Sequence, residues 1–149
     1  MDKKYIINNL NDLLRGIYVD MNTFDNYINN SKNKNVISQV SKVRKDYEKH
    51  ASRISKVISD LGGNPISMDS CSSTKLNSIN NTRYIDEEIL QKTCEATSNV
   101  LNLGRKLISD PNFINRESYT AINLMNKDYQ KHINYIQKSE LYNNTSQQN

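Results

Sequence analysis

Apolar residues recur along this chain at alternating steps of three and four, and four such runs can be separated. In the first, Leu10, Leu14, Ile17, Met21, Phe24 and Ile28 mark one face of a helix over about Lys4 to Asn30. The polar stretch NNSKNKN (29–35) then favours a turn. The second run, Val36, Val40, Val43, Tyr47, His50, Ile54, Val57 and Leu61, predicts a helix from about Asn35 to Leu61. It stops at GGNP, where Gly62 and Gly63 suit a left-handed cap and Pro65 cannot continue a helix. A third helix is expected from Asp86, as N-cap, to just before Pro111, with Leu90, Cys94, Thr97, Leu101, Gly104 and Ile108 inward. A fourth, from about Asn115 to Leu141, turns Ile122, Met125, Tyr129, His132 and Ile136 inward.

The two halves of this pattern match. Each is a helix, a short loop and a second helix, and each second helix carries the same phrase: KDYEKH at Lys45–His50 and KDYQKH at Lys127–His132. The chain's two histidines are the last residues of these two phrases. Between the halves, Gly62 to Tyr84 is rich in Ser and Asn and has no sustained period, so it reads as a long, mobile crossover. Short loops inside each half favour antiparallel neighbours, and one long connection between halves is the ferritin-like topology. The expected fold is therefore all-α: an antiparallel four-helix bundle over residues 1–141, built from two helix-hairpin repeats. The crossover spans 62–84, and residues 142–149 form a polar, disordered tail.

Three stretches, LNDLLRGIYVDMNTFDNYI, KDYEKHASRISKVISDLGGNP and DEEILQKTCEATSNVL, resemble a family of small bacterial four-helix proteins in the ferritin-like superfamily, known only as a domain of unknown function. The resemblance runs from about Leu10 to Leu141 and implies the fold; it implies no activity. Ferritins and rubrerythrin-like proteins are similar in architecture. Their di-iron sites take a carboxylate from each of two helices and Glu-x-x-His from each of the other two. Set against that pattern, the histidines stand at His50 and His132. The residues three before them are Tyr47 and Tyr129, where Glu is required, and the central positions of the first and third helices are Ile17 and Thr97 or Ser98. All four expected carboxylates are missing, which argues against ferroxidase or peroxidase chemistry.

Two readings of the repeated phrase follow. In the first, Tyr47, His50, Tyr129 and His132 are a polar cluster within the core, the histidines hydrogen-bonded to tyrosine, backbone or each other, and no cofactor is held. In the second, His50, His132, Asp46 and Asp128 form an atypical site for a divalent transition metal. The aspartates, four residues before each histidine, would have to turn inward from the edge of the seam.

Composition narrows the remaining classes. The net charge of +4 is modest, with acidic residues interspersed among basic ones. Lys42, Lys45, Lys49 and Lys56 form a stripe on the outer face of the second helix, but the charge balance disfavours nucleic acid, which wants more cations and stacking partners. No segment approaches the roughly 18 apolar residues of a membrane span, and the N-terminal stretch lacks the apolar core of a signal peptide. A cytoplasmic location is expected, with Cys71 and Cys94 as unbridged thiols: Cys94 in the core, Cys71 the more accessible. No phosphate loop, nucleophile triad or dinucleotide motif is present. The expected role is a non-enzymatic structural or interaction protein, linked to stress or dormancy and able to form homo-oligomers. A metal-binding protein with a His/Tyr/Asp site is the first alternative, and a weak nucleic-acid-binding module the second.

Overall fold

The periodic runs fold as four long helices, α1 (Lys3–Asn30), α2 (Lys34–Asp60), α3 (Asp86–Ser109) and α4 (Arg116–Gln137). A single turn of 3-10 helix lies between α2 and α3, at Asp69–Cys71. The structure is a computed structural model and describes residues 2–71 and 85–139; among these there is no strand. The fourth helix, expected to about Leu141, ends at Gln137 with Lys138 as its C-cap; the tail at 142–149 and the part of the crossover at 72–84 lie outside the described residues.

Local chemistry sets most helix ends. Asp2, Asn33 and Asn115 have extended backbone and accept hydrogen bonds from the backbone N–H groups of Tyr5, of Asn35 and Val36, and of Ser118. Helix α2 closes with a Schellman turn. The Gly63 N–H donates to the Ile58 carbonyl and the Gly62 N–H to Ser59, with Gly62 left-handed at φ 86°. The third helix departs from expectation. Its N-cap is Ile85, which offers no side-chain bond. Asp86 is already helical, and its carboxylate accepts a 2.6 Å hydrogen bond from the Ser31 hydroxyl. The residue thus ties the start of α3 to the end of α1 instead of capping its own helix.

At the other end of the same helix pair, the Tyr5 hydroxyl donates to Asp110, so α1 and α3 run antiparallel. Helix α1 packs on α2 and α3, and α4 packs on α3 and α2. Residues 31–33 and 110–115 make the two tight connections. Asn11 bonds the backbone of Asn64 and Ile66, placing the end of α2 beside the first half of α1. The connection from Leu61 to Ile85 consequently joins opposite ends of the bundle. Its first part is not structureless, as the composition suggested: Ile66 and Met68 pack on the core, and Cys71 is buried instead of being the accessible thiol.

One core runs through all four helices. It includes most of the expected seam residues, with Ile28, Leu61 and Ile108 half-buried at its edge, together with a second row, among them Ile6, Leu13, Ile58, Ile89 and Val100. A helix that touches two neighbours needs a stripe wider than a single seam. Between α3 and α4, a Cβ on Gly104 would meet the ends of the Asn126 and Met125 side chains, which would have to shift to admit it. Among the described residues, no helix is long and apolar enough to cross a membrane.

Candidate functional site

The repeated phrases face each other across the α2–α4 contact. His50 on α2 places Nε2 2.7 Å from Asp128 Oδ2 on α4, and His132 on α4 places Nε2 2.6 Å from Asp46 Oδ2 on α2. Each motif therefore supplies the aspartate that holds the other's histidine. Because the residue order rises along one helix as it falls along the other, α2 and α4 are antiparallel. Asp46 and His50, four apart, share a helix face, as do Asp128 and His132. Lys49 lies between the two pairs, with Nζ 2.9 Å from Asp128 and 3.5 Å from Asp46. It is thus part of this cluster, while the solvated stripe expected at Lys42, Lys45 and Lys56 is diluted further by a Lys56–Asp60 pair and by Lys42 over the Tyr135 ring.

The two pairs are not equivalent. His50 is fully buried and the His132 side chain is 19% exposed, because α4 turns Ile133 and not His132 into the core. Arg53 Nη1 lies 3.2 Å from His50 Nδ1. A guanidinium only donates, so Nδ1 accepts and the imidazole proton sits on Nε2, directed at Asp128. Burial lowers the His50 pKa, with Lys49 and Arg53 adding to it and Asp128 opposing. The ring is thus held neutral. Burial acts to raise the Asp128 carboxyl, but the bonds from Lys49 and His50 outweigh it and keep it below its usual value. Removing Asp128 strands a buried imidazole donor, while Lys49 keeps Asp46 and solvent, whereas removing Asp46 releases a partly exposed ring. Asp128→Ala should therefore cost about 2–3 kcal/mol and Asp46→Ala about 1 kcal/mol by chemical denaturation.

Beneath these pairs lies a tyrosine layer. The rings of Tyr47 and Tyr129 stack at 4.5 Å between centroids with 19° between planes, and both are fully buried. Phe24 meets the Tyr47 ring edge-on, and His50 meets Tyr129 likewise. The Tyr47 hydroxyl donates a 2.9 Å hydrogen bond to Asp20 Oδ2 on α1. The corresponding hydroxyl of Tyr129 is buried and has no partner among the described residues. Burial pushes the Asp20 carboxyl up to about 7 against the lowering effect of the Tyr47 bond. Both phenols are raised well above their usual value, first by burial and then by the Asp20 charge.

Asp20 is the residue that sequence reasoning missed. The apolar period puts Ile17 at the centre of α1, and it is buried, but the carboxylate one turn later reaches the tyrosine layer. The seam pattern hid it, since Asp20 lies at the edge of the apolar stripe next to Met21. On α3 the inward residues are Thr93 and Thr97, whose hydroxyls donate to the Ile89 and Thr93 carbonyls. The carboxylates do not converge. Among the described residues, no three His, Cys, Asp or Glu side chains are grouped to hold a metal ion. His50, His132, Asp46 and Asp128 instead point at one another in pairs with an ammonium between them. The histidines' partners are aspartates, not the tyrosines, backbone or second histidine expected for a core cluster. Cys94 is buried on α3, its thiol pushed up to about 12 by burial, which leaves it without thiolate character.

Compared with protein-family models, with curated proteins and with solved structures, the chain matches none of them.

Proposed function

We propose that this chain is a non-enzymatic helical protein of ferritin-like architecture, built from two helix-hairpin repeats, whose duplicated KDYxKH phrase is an interhelix clamp. The carrying observation is the reciprocal pairing of Asp46 with His132 and Asp128 with His50. Every charged group that a metal would recruit is already engaged by a partner, and Lys49 carries the positive charge between the two carboxylates. Two ferrous ions would add four positive charges, and uncompensated buried charge costs several kcal/mol per ion. Tyr47 and Tyr129 fill the positions of the required glutamates, so the residues present do not fit a di-iron centre.

An interaction role in the cytoplasm is part of this reading. Val19, Ile85, Leu103, Ile114, Tyr119, Leu124 and Tyr135 are exposed large apolar residues, surface that a partner or a second copy would cover. The resemblance to the ferritin-like family supports the architecture in this reading and bears on no activity. The decisive test is incubation with Fe²⁺ and oxygen, following ferric absorbance against a protein-free control. No protein-dependent phase is expected. A rapid phase that saturates at fixed stoichiometry and disappears in His50→Ala with His132→Ala would replace the clamp with a working metal site.

A further inference from the structure

The tyrosine layer contains an asymmetry that a clamp does not need. Tyr47 and Tyr129 occupy the same place in the same phrase, stack on each other and are equally buried, yet only Tyr47 has a proton acceptor. The difference comes from the neighbouring helices: α1 supplies a carboxylate, Asp20, to the Tyr47 hydroxyl, and Thr97 of α3 also reaches Tyr47 and not Tyr129. We propose that Tyr47 is a site of proton-coupled one-electron oxidation, with Asp20 as its proton acceptor.

The chemistry balances with an external one-electron oxidant, of the class of small inorganic radicals such as the carbonate radical anion or nitrogen dioxide. The oxidant takes one electron from the phenol and is reduced by one electron. The Tyr47 O–H bond breaks, and its proton moves along the existing 2.9 Å hydrogen bond to form an O–H bond on Asp20 Oδ2. The products are a neutral tyrosyl radical, a carboxylic acid and the reduced oxidant. Loss of a phenolic proton together with the electron avoids creating a charged radical cation among apolar side chains, where isolated charge is heavily penalised. Tyr129 lacks this course, because its hydroxyl has no proton acceptor among the described residues. Its stacked ring instead shields one face of Tyr47, and Phe24 stands edge-on to the ring. Full burial prevents two radicals on different molecules from coupling, the usual fate of an oxidised surface tyrosine. Asp20 itself is only partly buried, so the transferred proton can pass on to water. Its high affinity for a proton, noted above, is that of a group suited to receive one.

The test is flash oxidation of the full chain with photogenerated tris(bipyridine)ruthenium(III), read by electron paramagnetic resonance. Exposed tyrosines such as Tyr119 and Tyr135 give signals that decay as dityrosine forms. The expected result is an additional, persistent tyrosyl signal. It should be lost in Tyr47→Phe and in Asp20→Asn, whose amide can accept the hydrogen bond but not the proton, and kept in Tyr129→Phe. Circular dichroism melts establish that each variant is folded. Absence of a persistent signal in the unmodified chain, its survival in Asp20→Asn, or its loss in Tyr129→Phe alone would each overturn the assignment.

Discussion

Replacing Asp20 with Asn should stabilise this protein at pH 8 and leave it nearly unchanged at pH 4. The sign follows from where the proton sits. The Asp20 carboxyl is pushed up to about 7 in the folded chain, while in the unfolded chain it takes its ordinary value of 3.8. Below that ordinary value both states are protonated and no penalty arises. Between the two values the folded state holds a proton that the unfolded state has lost, so stability falls as pH rises, by about 1.4 kcal/mol per unit. Above 7 both states are ionised and the full penalty persists. Three units correspond to on the order of 4 kcal/mol, and solvent reaching the partly exposed carboxylate brings the expected gain to about 2–4 kcal/mol. Asparagine keeps an oxygen for the Tyr47 hydroxyl and removes the charge. His50 and Asp128, whose pKa values are both lowered, impose the opposite slope toward acid, but equally on both proteins, and so cancel in the difference. Urea denaturation of the two proteins from pH 4 to 8 checks this. Parallel curves across that range would show that Asp20 is not forced into the core.

Two chemically identical substitutions in the two copies of the phrase should have opposite signs. Tyr47→Phe removes a hydroxyl that donates to Asp20 and leaves that carboxylate without its partner, at a cost of about 1–2 kcal/mol. Tyr129→Phe removes a buried hydroxyl with no partner among the described residues and fills the same space, so it should gain about 1 kcal/mol. Both keep the stacked aromatic pair, so packing differences stay small. Thermal melts of the two single variants, run at pH 8 where Asp20 is mostly ionised, give the comparison. A loss of similar size in both would mean that the Tyr129 hydroxyl is satisfied by an ordered water.

The helices, their register and most of the core were legible in the sequence because burial along a helix repeats at a short period. Leu10 to Phe24, Val36 to Val57 and Ile122 to Tyr129 announce their inward faces without knowledge of any neighbour. The stop of α2 was equally readable, since Gly62 and Gly63 act on carbonyls only a turn away. The repeated phrase showed that two similar surfaces exist and that tyrosine and histidine stand on them. What the sequence could not show was which side chain each one meets. Asp46 finds His132, 86 residues away; Asp128 finds His50, 78 away; and Tyr47 finds Asp20, 27 away, because antiparallel packing brings those turns level. The same packing turns Ile133 and not His132 inward, engages Lys49, buries Cys71 and leaves the Tyr129 hydroxyl without a partner among the described residues. Periodicity is a property of one helix and can be read along the chain. The protonation, pairing and solvent exposure of these side chains depend on distances between helices, and only the tertiary structure supplies those.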